Sequence, residues 1–427
     1  MKDLARSGGS RAMTLLVSLV LITYSTRLVI AYVGTELYGY IALVASLSAL
    51  LAFSDLGIGA AVTTEIARLG HAADLVKDLI SRVGRALNWV SILLVLAAAL
   101  ALVFDLWPLI FANPNLPTYI PVAASISLVF FAVSVRAGVG YRVLIGINRS
   151  HLAIYCQVLG PVISTAICFV VVTLGGAPIW LAIAIPAGSM VVSVAMLVVA
   201  MRATGLNLVS SRSTRSLAKA DRLSIANYSF PAFAILIASP IIFQSDRLLL
   251  AWLSTPAALA QYSVLAQLYG PAVSLANAVA LPLWARYSSG GTSNLGREFK
   301  RHVLLLSVLG FALGGGLIVI EPFYVQVVSA GELGDLTLLA SSFALLIVVQ
   351  SVQLPASMFL TTPRGFRVLS LLFGIALIFK LALSFLLVPP LSGPGPVISS
   401  VIAVLLSVTI PSLFVVARSI QKGVGRI

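Results

Sequence analysis

Apolar runs of about twenty residues recur along the whole chain, separated by short polar turns. Each is long enough to cross a ~30 Å hydrocarbon core as a helix. A helix is what such a crossing demands, because it satisfies its own backbone N–H and C=O groups where no water is present. The runs lie at roughly 13–33, 38–62, 86–107, 118–140, 152–174, 178–201, 225–253, 257–284, 303–320, 336–360, 366–388 and 396–418. The period-two alternation of an outer-membrane barrel is not found. The pattern predicts an all-α polytopic membrane protein of about 12 transmembrane helices. The first run has no small-residue cleavage site after it, so it is expected to be retained as a span.

A few spans break the apolar pattern. Ile22 to Tyr40, ITYSTRLVIAYVGTELYGY, carries Arg27 inside the first span and then stops at a short turn. The same script returns at Ile242 to Tyr262, IFQSDRLLLAWLSTPAALAQY, with Arg247 in the place of Arg27. This alignment also pairs Ile22 with Ile242, Ser25 with Ser245, Leu28 with Leu248, Ala31 with Ala251 and Thr35 with Thr255. Matched Leu and Ala mean little in apolar sequence. A matched intramembrane arginine with a matched serine two residues before it means more. The chain therefore reads as two homologous six-helix lobes, 1–201 and 225–427, joined by a polar cytoplasmic linker over 202–224.

Composition agrees. Of 427 residues, 60% are hydrophobic and 9% charged, with a mean hydropathy of +1.08. The net charge of +14 raises nucleic acid as a partner, but its distribution points to membrane topology instead. Apart from Arg27, Arg247 and Lys380, the Lys and Arg residues fall before span 1, in alternate loops and in the tail. The opposite loops carry Glu36, Asp105, Glu321, Glu332 and Asp335. By the positive-inside rule both termini of a multi-pass protein with this pattern are expected to face the cytoplasm. The mixed-charge segment 63–85 reads as a surface amphipathic helix, and Asp55 as a structural cap.

Arg27, Arg247 and Lys380 lie in the outer halves of spans 1, 7 and 11. An ion at such depth costs at least ~2.5–3 kcal/mol unless it meets water or a partner. Three at similar depth imply a shared hydrated cavity with cationic walls. Alternatives stand beside this. Arg27 and Lys380 have snorkelling available. Asp246 beside Arg247 reads either as an internal ion pair or as part of a substrate or coupling site. Neighbours on a helix point about 100° apart, which favours the second. Gln244 and Ser245 widen the girdle. In span 8, Gln267, Gly270, Ser274 and Asn277 share one helical face, which either packs against another helix or lines an aqueous path. Gln350 and Gln353 are a weaker case in span 10.

Catalytic arrangements are not legible. His71, His151 and His302 lack metal spacing, and Cys156 and Cys168 are too far apart on one helix to bridge. There is no phosphate-binding GxxxxGK[ST]. No cofactor or metal is expected, and the protein is not read as an enzyme.

The first hairpin, VGTELYGYIALVASLSALLAFSDLGIGAA, resembles the start of the O-antigen type of polysaccharide flippases. These belong to the multidrug/oligosaccharidyl-lipid/polysaccharide exporter superfamily. The family's LG-x-E-x-YG turn corresponds to Gly34, Glu36, Tyr38 and Gly39, and its D-x-G-x-G span end to Asp55, Gly57 and Gly59. Ser245 to Leu268 resembles the hairpin of spans 7 and 8. The resemblance implies a six-plus-six bundle around a central cavity. It implies transport of a polyprenyl-pyrophosphate-linked oligosaccharide across the cytoplasmic membrane by alternating access. Arg27, Arg247, Lys380, Gln244, Gln267 and Asn277 are then the substrate-binding candidates, with Asp246 orienting Arg247 or carrying a coupling ion, a proton or sodium. A monomer is expected, with polysaccharide assembly proteins as candidate partners. A cation-coupled multidrug exporter is the first rival, but it calls for more buried carboxylate than Asp246 alone. A membrane glycan polymerase is the second, and the outer loops here lack its paired arginines.

Overall fold

The computed structural model describes residues 2–50, 73–114, 116–147, 149–205, 238, 241–288 and 295–421. It divides into an N-terminal unit ending at Ser229 and a C-terminal unit beginning at Phe230. Each is described by itself. Among the described residues the ordered elements are helices, and ten are long and apolar enough to cross a membrane. The chain is an all-α, multi-pass membrane protein. The predicted spans 38–62 and 225–253 run partly outside the described residues, as do Asp55, Gly57, Gly59 and the linker beyond Gly205.

The N-terminal unit contains α1 (Lys2–Val33), α2 (Thr35–Leu50), α3 (Ala73–Val103), the single turn α4 (Trp107–Ile110), α5 (Tyr119–Ala137), α6 (Val139–Gly146), α7 (Ser150–Thr173) and α8 (Ile179–Thr204). Helix α8 is the hub, packing against α2, α5, α6 and α7. Small residues permit this closeness. A Cβ added at Gly188 would stand 2.6 Å from the Gly160 carbonyl oxygen, and one at Gly140 would overlap the backbone of Leu197. The break between α1 and α2 is one residue, Gly34, whose φ of +82° a side chain would strain.

The C-terminal unit contains α9 (Asp246–Leu253), α10 (Pro256–Ser288), α11 (Leu295–Ser329), α12 (Thr337–Phe359), α13 (Pro363–Leu391), α14 (Pro394–Val404), a π-helical turn (Leu405–Thr409) and α15 (Ile410–Gln421). A short helical stretch, 241–244, precedes α9, and the ladder runs on through Ser245, whose N–H donates to the Ile241 carbonyl and whose carbonyl accepts from the Leu249 N–H. Helix α12 is the hub here. It packs against α10, α11 and α14, and 67% of its apolar window is buried. Gly310 and Gly314 of α11 let it close on α12: a Cβ at Gly314 would lie 2.9 Å from the Ala344 carbonyl oxygen.

Two boundaries differ instructively from the hydropathy pattern. The span expected at 303–320 belongs to a helix running from Leu295 to Ser329. The second half of the mixed-charge segment 63–85 is the N-terminal extension of α3, not a separate surface helix. Hydropathy marks where a helix meets hydrocarbon, whereas the backbone ladder continues as long as nothing breaks it. Polar turns such as Arg297–Arg301 are therefore helical but fall outside the apolar run.

Candidate functional site

Ser245 and Asp246, adjacent at the start of α9, are the polar centre of the C-terminal unit. Both are buried, at 8% and 2% exposure. The cation that meets them comes from α13. Lys380 is completely buried, with Nζ 2.5 Å from Asp246 Oδ1 and donating to Ser245 Oγ at 2.5 Å. The other carboxylate oxygen, Oδ2, accepts from the Tyr262 hydroxyl on α10 at 2.9 Å. One carboxylate thus ties α9 to both α10 and α13.

Lys380 occurs where it does because α13 presents a buried stripe of Leu369, Phe373, Ala376, Lys380, Ser384 and Val388 at spacings of three and four. The lysine stands in mid-stripe and has no route to solvent. Such a charge persists only with a close partner and its remaining protons engaged.

Arg247 points elsewhere. It is half-buried. Its Nε donates to Ser263 Oγ at 3.3 Å, and its Cζ lies 5.8 Å from the Tyr262 ring centroid. Both neighbours are neutral, so its positive charge is not cancelled among the described residues. Its distance from the ring is within the ~6 Å range of cation–π attraction. Behind Tyr262 an aromatic column runs through Phe343 (centroids 5.2 Å apart) to Tyr269 (5.1 Å). The Tyr269 hydroxyl donates to Gln350 Oε1 at 3.0 Å.

The other candidates separate. Gln244 is half-buried on the turn before Ser245. Gln267 accepts from the Tyr324 hydroxyl at 2.7 Å. Asn277 is exposed and donates to the Val273 carbonyl of its own helix at 2.9 Å. Gly270, on the same face, has open space where a Cβ would be, so no helix packs tightly on that face at this point. Arg27 belongs to the N-terminal unit. It is exposed, on one face of α1 with exposed Met13, Leu16, Val20 and Tyr24.

One expectation is corrected by this geometry. Lys380 is not a bare cation on a cavity wall; it is buried and paired with Asp246. Asp246 takes its cation from a facing helix, while its side chain and that of its sequence neighbour Arg247 diverge, as their adjacency on one helix implies. Tyr262 and Ser263 touch Asp246 and Arg247, neighbours that sequence reasoning missed. Their polar groups carry no periodic signal, and only the fold of α10 against α9 reveals them.

The two aligned arginines stand at matched places in their helices. Arg27 precedes the end of α1 at Val33, and Arg247 the end of α9 at Leu253, by the same number of residues. The position matching Asp246 is Thr26, buried and uncharged. The helix pairing matching α9–α13 is α1–α7, where Thr165 Oγ1 donates to the Leu21 carbonyl at 3.1 Å. The ionic centre is therefore a feature of the C-terminal unit alone among the paired positions.

A multi-pass helical bundle of this order has a fold that solved exporters and flippases share. The chain is similar to an inward-facing multidrug resistance MATE family transporter of the MOP superfamily, at 15% identity and a TM-score of 0.73, covering 97% of this chain and 99% of the other. It is similar to the lipid II flippase MurJ in an inward closed conformation, at 14% identity and a TM-score of 0.69, covering 95% and 87%. It is also similar to a MATE protein in a bent conformation, at 15% identity and a TM-score of 0.62, covering 99% and 97%. These likenesses establish the fold. Comparison with curated protein sequences finds no match. The family model described as polysaccharide biosynthesis protein matches residues 7–288, and the chain belongs to that family.

Proposed function

We propose that the protein is a flippase that moves a polyprenyl-pyrophosphate-linked oligosaccharide across the bacterial inner membrane for surface polysaccharide synthesis, with both termini cytoplasmic. The observation that carries the reading is Arg247: a half-buried guanidinium inside a span, held by a serine hydroxyl and a tyrosine ring. A cation left uncompensated at that depth suits an anionic cargo. Guanidinium groups bind phosphate oxygens through paired, charge-assisted hydrogen bonds. Arg27, on the exposed face of α1, is the matching group in the other half. Gln244, Gln267 and Asn277 supply neutral hydrogen-bonding groups suited to sugar hydroxyls. Lys380 serves indirectly, by holding Asp246 away from Arg247. The chain carries no nucleotide-binding signature, so an ion gradient or the membrane potential drives the cycle; one charge moved through 100 mV is worth about 2.3 kcal/mol.

Membership of a polysaccharide biosynthesis family supports this reading. The fold likeness to MATE transporters supports a multidrug exporter as the second reading. Against it, the buried carboxylate of Asp246 is already occupied by an ammonium, leaving no anion there for a cationic drug. The test is Arg247→Ala, with Arg247→Lys beside it, in cells whose surface glycan depends on this protein, at matched membrane abundance. Loss of surface glycan with Ala, and partial retention with Lys, is expected. Unchanged glycan in Arg247→Ala refutes the phosphate-holding role.

A further inference from the structure

We infer that Tyr262 is the positioning residue of Arg247: it orients the guanidinium so that only its terminal edge is offered to cargo, and it ties that orientation to the buried Lys380–Asp246 pair. This role rests on the phosphate-holding part proposed for Arg247 above and names the residue through which that part is set.

An arginine head has three things to offer: its Nε–H, the N–H groups of Nη1 and Nη2, and its flat π faces. Two of them are already taken here. Nε donates to Ser263 Oγ at 3.3 Å. Cζ lies over the Tyr262 ring, 5.8 Å from its centroid. Both contacts come from neighbouring residues at one place on α10, and both residues are buried, at 4% and 2% exposure. Nη1 and Nη2 have no hydrogen bond or ion pair among the described residues. What is left is the terminal fork of N–H groups, whose spacing matches two non-bridging oxygens on one phosphorus. The chemical unit this arginine fits is therefore a single phosphate group with both of those oxygens free, as each phosphate of a lipid-linked pyrophosphate has.

The Tyr262 ring is a fixed platform. Its hydroxyl donates to Asp246 Oδ2 at 2.9 Å, and its ring packs on Phe343 of α12 with centroids 5.2 Å apart. The carboxylate it reaches is itself held at Oδ1 by the Lys380 ammonium. Asp246 and Arg247 are sequence neighbours whose side chains diverge, and Tyr262 touches both, one with its hydroxyl and the other with its ring. Removing the ring frees the guanidinium to swing off the fork geometry. Removing the hydroxyl alone leaves the ring in place but unties it from the ion pair.

The test uses purified full-length protein in detergent. Farnesyl pyrophosphate, a short isoprenoid pyrophosphate, is the probe, and farnesol is its neutral counterpart. The readout is the ratio of their two Kd values, because a purely structural defect weakens both alike and leaves the ratio unchanged. The unaltered protein is expected to prefer the pyrophosphate, and Arg247→Ala to lose that preference. Tyr262→Leu is expected to narrow the ratio about tenfold, the scale of a desolvated cation–π contact, with farnesol affinity unchanged. Tyr262→Phe keeps the ring and Ser263→Ala frees Nε; each is expected to narrow the ratio by about two- to fivefold. These two variants keep the Lys380–Asp246 pair, so they carry the test if Tyr262→Leu does not fold. A full preference in Tyr262→Leu, or in both milder variants where Tyr262→Leu does not fold, overturns the positioning role while Arg247→Ala still loses it. So does an equal weakening of both probes in the Tyr262 variants. A preference that survives Arg247→Ala, or is missing from the unaltered protein, overturns the phosphate-holding role itself, and the positioning role with it.

Discussion

Exchanging Lys380 for methionine keeps most of the side chain's bulk and removes its charge. Asp246 would then be an ionised carboxylate at 2% exposure, with only the Tyr262 hydroxyl left as a hydrogen-bond donor. Breaking a buried pair from one side costs about 3–5 kcal/mol, because the surviving charge stays desolvated. For a cooperative unit of this size that corresponds to a depression of the apparent Tm on the order of 10 °C. Asp246→Asn strands the Lys380 ammonium instead, leaving it only neutral acceptors, Ser245 Oγ and the new amide oxygen, and should cost a similar amount. Lys380→Met/Asp246→Asn removes both charges together, and replacing a buried pair by neutral groups of similar volume is often neutral or stabilising. The double variant should therefore be more stable than either single one, a non-additivity of about 3 kcal/mol or more in the cycle. A multi-helix protein of this size is not a reliable two-state unfolder, so the decisive readout is the order of apparent Tm values in a choline buffer. If the double variant falls by the sum of the two single effects, the residues do not form a mutually dependent pair and the reasoning fails.

Two further outcomes follow from the fold. Gly140→Val should sharply reduce the yield of folded protein, since its Cβ would overlap the Leu197 backbone and α6 cannot withdraw from α8 without opening the unit's core. Gly270→Ala, with open space at the same test, should be tolerated and gain up to about 1 kcal/mol of helix propensity; equal damage from both would refute the packing account. At the head of α12, Asp335 accepts from the Thr337 hydroxyl at 2.6 Å and from its N–H at 2.9 Å. These bonds hold its carboxyl below the usual range. A carboxylate with a lowered folded-state pKa contributes stability above its unfolded pKa and loses it as pH falls through the folded one. Hydrogen exchange at the Thr337 amide should be protected at neutral pH and speed up, beyond the intrinsic trend, only on acidification below the ordinary aspartate range. Equal protection in Asp335→Ala and the unaltered protein at neutral pH would refute it.

Much of this protein was legible along the chain. Spans announce themselves because lipid allows only self-satisfied backbone, so twenty apolar residues carry almost one meaning. A charge inside such a run is rare enough to align on, and the two arginines so aligned stand at matched distances from the ends of their helices. Helix ends were less legible: α3 and α11 extend through charged turns that hydropathy scores as loop.

The partners of the buried ions were not legible at all. Asp246 stands next to Arg247 in sequence, yet its cation is Lys380, from a helix more than a hundred residues later. Along the chain the two lysine readings, an open cationic wall or a snorkelling side chain, were equally available, and the structure shows neither. What decides is the packing of α9 against α13, which seals Lys380 and leaves Asp246 as its counter-charge. Tyr262 and Ser263 likewise acquired roles only when α10 folded back beside α9. Local sequence determined where helices form and that some carry charge, because those outcomes depend on the residues of each segment and the solvent around it. Which charge meets which depended on the approach of helices far apart in the chain, and no segment contains that information by itself.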